Sequence, residues 1–313
     1  MTDVTVVGAG ISGIACAQRC VAAGLSVRVL DRGRRAGGRL AARTVDGHAA
    51  DLGAPYATVS DDRFRAVVDD WLGRGLLREW TDTFRVAGPD GLGEAKTGPM
   101  RYAAPGAMRS LVDDLATGIE IEQRVVGPIP ADLVVEGAAS RVVVLAMPGP
   151  QAVRLLQPDH PELAAAADQP FAAGIAVVAR FAERTWPEFD AAFVSDLPIR
   201  WLADDGRSHG DGAPVLVAHT TADFGGQHLE DPDAVIEPVL GAMRQALGVG
   251  LEPVDVRAHR WTFAQPTAPR DRTFLLEASG IGLCGDGWSE KSKVEAAWLS
   301  GDDLGAAVVE RLA

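Results

Sequence analysis

The chain has 313 residues, 47% of them apolar and 23% charged, which is an ordinary globular composition with room for two domains. Its formal charge of −13 excludes a general nucleic-acid binder, because phosphate contact requires clustered cations. Three cysteines make no disulfide framework, no apolar run approaches the roughly 18–20 residues of a membrane span, and no charged leader precedes the first apolar stretch. The expectation is a cytoplasmic protein without nucleic-acid or membrane partners and of undetermined oligomeric state.

Residues 2–7 read as a buried strand, and Gly8-Ala9-Gly10-Ile11-Ser12-Gly13 follows it without a gap. A helix pattern runs from Ile14 to about Ala23, and a second strand, 26–30, ends on Asp31. The spacing gives each position a task. Gly8 allows a tight strand-to-helix turn, Gly10 admits a pyrophosphate to the backbone, and Gly13 lets the helix pack on the strand. Asp31 stands where a carboxylate holds both hydroxyls of a ribose, which opposes NADP with its 2′-phosphate. Arg39, after Gly37 and Gly38, adds a cation that pairs bidentately with phosphate; a solvated basic loop with Arg32, Arg34 and Arg35 is the competing reading. Cys16 and Cys20 share one face of the helix and read as small buried hydrophobes.

Beyond Asp51-Leu52-Gly53-Ala54-Pro55-Tyr56, the residues Phe64, Val67, Val68, Trp71 and Leu72 repeat at helical spacing, with Ser60 or Asp61 as N-cap. Residues 86–99, rich in Gly and Pro, read as a loop; 106–116 reads as a helix and 119–126 as a strand. The run 141–146, stopped by Pro148, reads as a central parallel strand. Period-2 alternation at 174–181, 215–220 and 256–263, with a loop at 204–214 and a helix at 233–247, predicts an antiparallel sheet with a covering helix. Residues 281–286 read as a last buried strand, followed by a helix carrying Val294, Trp298, Gly301, Gly305 and Val308. The expected fold is α/β: a Rossmann-type FAD-binding domain (1–55, 98–150 and 271–313) interrupted by an antiparallel-sheet substrate domain (56–97 and 151–270). Such interruption is unusual in NAD dehydrogenases and common in FAD enzymes.

The ordered motifs VVGAGISG at 6–13, GGRL at 37–40, DLGAPY at 51–56, PGAM at 105–108, WLA at 201–203, AHRW at 258–261 and LCGDGWSEKSKVEAAWLSG at 283–301 run the whole length. On these the chain resembles the bacterial renalase-like members of the flavin-containing amine-oxidase superfamily. The resemblance implies non-covalent FAD in a p-hydroxybenzoate-hydroxylase-like two-domain fold. Gly8, Gly10, Ile11, Ser12, Gly13, Arg32, Gly38 and Arg39 would then surround the pyrophosphate, and Asp31 the adenosine ribose. Val125 would meet the adenine through its backbone, Asp286 the ribitol or pyrophosphate oxygens, and Gly53 and Ala54 the flavin ring. Val294 would offer its N–H to flavin O2, where the helix dipole favours negative charge. Three departures stand out: a shortened 127–141 connection, a proline in DLGAPY where the family commonly has glutamine, and one extra residue in GDGWSEK.

The resemblance further implies hydride transfer from a small electron-rich substrate, a 2- or 6-dihydro isomer of NAD(P)H, to flavin N5, with O2 reoxidising the flavin to give H2O2. Two alternatives stay open: an amine oxidase or dehydrogenase acting on another small metabolite, and a non-catalytic FAD-binding protein. Flavin oxidation asks the protein for orientation and electrostatics more than for acid–base groups. The candidate substrate walls are Tyr56, Trp201, His219, His259, Trp261 and Trp288, and for any of them burial in ordinary core is the competing reading. His259 and Trp261 share one strand face with Arg257 and Phe263. No HxxxH, CxxC or carboxylate cluster stands in the sequence, so no metal is expected, and Ser, His and Asp occur in no acyl-transfer context.

Overall fold

The N-terminal pattern folds as strand β1 (Thr2–Val7), helix α1 (Ile11–Ala22) and strand β2 (Val27–Asp31) in a computed structural model that describes residues 2–268 and 270–313. A hairpin of β3 (Ala42–Val45) and β4 (His48–Asp51) follows, then α2 (Asp62–Gly73) and the long pair β5 (Arg78–Gly88) and β6 (Gly91–Ala103). Next come α3 (Arg109–Leu115), β7 (Ile121–Gln123), β8 (Val134–Val135), β9 (Ala138–Ala146) and the short helices α4 (Gly149–Ala152) and α5 (Glu162–Ala167). The middle of the chain forms β10 (Phe171–Arg180), β11 (Ala191–Val194), β12 (Ile199–Asp204), α6 (Asp205–His209), β13 (Val215–Thr220), α7 (Ala222–Gln227), α8 (Ile236–Leu247) and β14 (Asp255–Pro266). Then follow β15 (Phe274–Leu276), β16 (Ile281–Cys284) and α9 (Val294–Leu312).

The chain divides into two compact units. The first comprises Met1–Arg39, Leu111–Phe171 and Gln265–Ala313. Its sheet has the order β15-β16-β9-β1-β2-β7, with β8 added on β9. β1 runs parallel to both β2 and β9, and β16 runs parallel to β9. Covered on both faces, Val142–Leu145 is completely buried, as a continuous apolar run in a parallel sheet requires. Helices α1 and α9 approach so closely that a Cβ on Gly301 would lie 1.9 Å from the Ser12 carbonyl oxygen. Only glycine permits that contact.

The second unit comprises Leu40–Ser110 and Ala172–Ala264, with sheet order β14-β10-β13-β12-β11-β5-β6. Alternation sends Ile175, Val177, Leu202, Leu216 and Ala218 to one face, packed with Val239, Leu240 and Met243 of α8. Val178, Val215 and Val217 point the other way and pack with Val45, Ala50 and Leu52 of the β3–β4 hairpin. Trp201, His219 and the odd-numbered side chains of β14 share this second face.

The segment 86–99, expected as a loop, is instead the turn and arms of the β5–β6 pair. Its register shifts after Thr81 and after Arg85, and β6 is the sheet edge, where Pro99 and the glycines are tolerated. The expected loop 204–214 contains α6, capped by the Asp204 carboxylate, which accepts the Arg207 N–H, and ended by left-handed Gly210. The strand expected over 119–126 shortens to β7. The unit boundaries also move. Residues 40–55 join the second unit because the hairpin packs on its sheet, and 98–110 because β6 pairs with β5; 151–171 join the first because Ala152, Leu156 and Ala166 lie in its core, and the first unit resumes at Gln265 rather than 271.

Candidate functional site

In the first unit the glycine turn separates two physical demands. Gly8, at φ +111°, would bring a Cβ to 2.5 Å from the Ala146 carbonyl oxygen, and Gly13 would bring one to 2.0 Å from the Gly8 oxygen. Packing alone requires both. A Cβ on Gly10 would meet only the Gly38 Cα, at 3.9 Å. The protein leaves open space in front of Gly10, so packing within the unit does not require glycine there. Gly10 is the N-cap of α1, and no side chain caps that helix end. The first N–H groups of α1 are therefore available to an anion.

Asp31 ends β2 beside this turn. Its Oδ2 accepts the Ala9 N–H at 2.7 Å and its Oδ1 the Gly33 N–H at 2.6 Å. These bonds fix the carboxylate while leaving further lone pairs for hydroxyl donors. The Arg124 N–H reaches the Asp31 carbonyl, which brings Val125 to the end of β2 with its side chain 76% exposed. Arg32 is exposed in the following turn.

Arg39 and Asp286, proposed separately from sequence, form one bidentate pair, Nη1 to Oδ2 at 2.9 Å and Nη2 to Oδ1. The Ser292 hydroxyl also donates to Asp286, at 2.5 Å. Val294 begins α9, whose first turn lacks a side-chain cap. The donor set fits a dinucleotide: a glycine cradle, two uncapped helix ends, a fixed carboxylate and an arginine. Trp288 does not belong with the substrate walls. The turn after β16 folds its ring into the core of the first unit, where it is 1% exposed under the Arg270 guanidinium.

The second unit gathers the remaining wall residues on the sheet face away from α8. Trp201 and His219 are cross-strand partners of β12 and β13. Around Trp201 stand Phe84 at 4.9 Å, Phe193 at 5.4 Å and Tyr56 at 5.9 Å between ring centroids, with Trp80 6.2 Å from Tyr56. The Arg101 guanidinium lies 3.8 Å from the Phe84 centroid. Sequence reasoning missed Trp80, Phe84, Phe193, Arg101 and Arg200; the period-2 placement of Trp80 and Phe84 was the available signal. Burial pushes the Tyr56 hydroxyl pKa up, against the charge and hydrogen bond of Arg101 and the charge of Arg200. Burial and the Arg200 charge press His219 down to about 3, so its imidazole stays neutral.

Trp261 donates from Nε1 to the Leu52 carbonyl at 2.8 Å, and the same carbonyl works against the fall in the His219 pKa. This carbonyl precedes Gly53 and Ala54, so the Trp261 bond fixes the backbone of the DLGAPY segment. His259 packs edge-on to Trp261 at 4.5 Å, and burial, with the Arg43 charge, lowers its pKa.

Asp51, which opens that segment, belongs to a buried polar chain that no sequence motif signals. His209 Nε2 donates to Asp51 at 3.0 Å, while His48 donates to Asp205 at 2.7 Å and to Asp211 at 2.6 Å. Asp51 also accepts the Met108 N–H. Burial opposes the charge on His209, but the Asp51 bond and the surrounding carboxylates outweigh it and hold its pKa up to about 9. Burial raises Asp51 to about 6 against the pull of His209. Two triads, His48-His209-Asp211 and Asp51-Asp205-His209, have metal-ligand spacing. Both ring nitrogens of His48 are already bonded to carboxylates, so the arrangement is an alternating acid–imidazole chain, and it anchors Asp51.

A discontinuous dinucleotide-binding unit and a mixed-sheet unit with an aromatic face define a nucleotide-cofactor oxidoreductase. Residues 6–71 match the model of an NAD(P)-binding Rossmann-like domain, and residues 131–308 match the model of the flavin containing amine oxidoreductases. The chain belongs to the flavin containing amine oxidoreductase family. It is 37% identical to a putrescine oxidase of Kocuria rosea over 31% of this chain and 20% of that protein. It is 28% identical to a coproporphyrinogen III oxidase of Mycobacterium leprae over 56% of this chain. The match spans 43% of the latter's length, so less than half of either relative is matched. The fold is that of cyclohexylamine oxidase from Brevibacterium oxydans, with TM-score 0.76, 15% identity and 99% of both chains covered. Among the described residues no helix is long and apolar enough to cross a membrane.

Proposed function

We propose that the protein is an FAD-dependent oxidase of renalase type, in a p-hydroxybenzoate-hydroxylase-like two-domain fold, acting on a small electron-rich substrate such as a 2- or 6-dihydro isomer of NAD(P)H. The observation that carries this reading is the chemistry of the aromatic sheet face. It offers stacking rings, N–H donors and an imidazole that stays neutral, with arginines as the charges acting on Tyr56. Hydride donation by an electron-rich ring needs orientation and a suitable field, and no strong base. Bound FAD would supply the two-electron acceptor for the substrate's hydride, with O2 and a proton as the terminal oxidant giving H2O2. Gly8, Gly10, Gly13, Asp31, Arg39, Asp286 and Val294 would hold it in the first unit. Tyr56, Trp201, His219, His259 and Trp261 would orient the substrate, and Gly53 and Ala54 would present backbone to the flavin ring. The putrescine and cyclohexylamine oxidase relatives favour a second reading, oxidation of a primary amine.

One anaerobic experiment separates them. Dihydronicotinamide isomers should bleach the bound flavin quickly and ordinary 4-dihydro NADH poorly, and air should restore the colour with H2O2 formation. Faster bleaching by putrescine or cyclohexylamine would install the second reading. Bleaching by none of these beyond the rate of free FAD would remove both.

A further inference from the structure

The aromatic cluster of the second unit carries an unbalanced set of polar atoms. Trp80 Nε1, Trp201 Nε1 and Arg101 Nη1 are buried without a hydrogen-bond partner among the described residues. All three are donors and none can accept. Trp201 and Arg101 are themselves 6% and 7% exposed. A buried donor left unsatisfied carries its full desolvation cost, and native structures rarely leave several together. The rings that carry these N–H groups touch one another through Tyr56 and Phe84.

Arg101 is built into place. Its guanidinium stacks on Phe84, its charge acts on the Tyr56 hydroxyl, and a Cβ on Gly98 would lie only 3.0 Å from its Nη2. Arg200, next to Trp201 in sequence, puts a second positive charge within reach of both Tyr56 and His219. His219 Nε2 is likewise buried without a partner among the described residues.

We infer that this face selects a planar substrate bearing an oxygen acceptor, neutral or anionic, and excludes an alkylammonium, with Arg101, Trp80 and Trp201 as the specificity-determining donors. An ammonium brings only donors to a donor-rich wall and meets two guanidinium charges after losing its water. A carbonyl or carboxylate satisfies the orphaned N–H groups and is attracted by the same charges. The inference rests on the reading that this face receives the substrate.

Benzoate, benzamide and benzylamine share one ring and differ in the head group, so they isolate the effect. Binding to the FAD-loaded protein is read by quenching of tryptophan fluorescence and by calorimetry, with no reductant present. Benzoate and benzamide should bind, and benzylamine should bind at least about tenfold more weakly. Arg101→Met should weaken benzoate about ten- to hundredfold, the range for a charge-assisted bond. Trp80→Phe and Trp201→Phe keep an aromatic group, lose the indole N–H and should each weaken it several-fold; they carry the test if Arg101→Met does not fold. Benzylamine binding as tightly as benzoate, or benzoate affinity unmoved in all folded variants, overturns the inference. Benzoate selectivity in a protein that no dihydronicotinamide isomer reduces would sink the renalase-type reading and leave this one standing. Rapid reduction by those isomers with benzylamine preferred over benzoate would do the reverse.

Discussion

Gly10 and Gly13 stand three positions apart in one turn and differ in the room the protein leaves them, and substitution distinguishes them. Gly10→Ala has room within the protein, so its melting temperature without FAD should match the parent while FAD affinity falls by at least about tenfold. Gly13→Ala drives a methyl into the Gly8 carbonyl at 2.0 Å; overpacking of this kind costs about 1–3 kcal/mol and should lower the melting temperature with or without FAD. Asp31→Ala removes a carboxylate that orders the turn through Ala9 and Gly33, and should weaken FAD by about 1.5–3 kcal/mol. Equal FAD affinity in all three variants would detach the turn from the cofactor. His209 gives a prediction with a sign. Its pKa is raised to about 9, so stability from its proton is full below about pH 6.5 and is lost as pH rises through 9. Asp51, raised to about 6, acts in the same direction, favouring the fold at low pH and losing that contribution as pH rises through 6. The melting temperature should therefore fall between about pH 7 and pH 9.5, and His209→Asn should flatten that slope.

At the scale of elements, the hairpin β3–β4 and the strand β14 meet through one carbonyl. Trp261→Phe keeps an aromatic group and removes the indole donor to Leu52, so urea unfolding should show a loss of about 1 kcal/mol. His259→Ala removes only an edge contact on a half-buried ring and should leave FAD content unchanged. If the face is the substrate face, His259→Ala should also slow flavin reduction by about ten- to hundredfold; unchanged reduction would assign His259 to packing. What the sequence made legible divides along the same lines. β1, the glycine turn and α1 are contiguous, and a period-2 run meeting a period-3.6 run is visible in one window. β5 and β6 were hidden because an edge strand tolerates the Gly and Pro that otherwise signal a loop. The face of β14 was readable as odd against even, but only the position of α8 on the even side decides which lies away from that helix. The His–Asp chain had no readable period: Asp51 and His209 are 158 positions apart, and buried polar pairing leaves no pattern in either segment. Trp288 shows the converse error, since a motif places a residue near a site without saying which way its side chain turns.

For the whole molecule, the first unit is assembled from three stretches of chain that are far apart in sequence. β1 pairs with β2 from its own segment and with β9 from the second, and β9 pairs with β16 from the third. The groups fitted to FAD are spread in the same way: the glycine turn, Asp31 and Arg39 on the first stretch, Val125 on the second, Asp286 and Val294 on the third. A ligand that binds only the assembled unit stabilises it by mass action, about 2.7 kcal/mol at a hundredfold excess over Kd. That stabilisation should slow opening of all three stretches together, because none forms the site alone. Hydrogen exchange measured with and without FAD should therefore show added protection in 2–39, 121–146 and 281–312 in parallel, with β10, β13 and α8 changing less. Protection confined to residues 8–31 would mean that the turn binds a dinucleotide without Asp286 and α9. Protection centred on 172–264 instead would remove FAD from the first unit altogether, and with it the assignment of Arg39 and Asp286 to the cofactor.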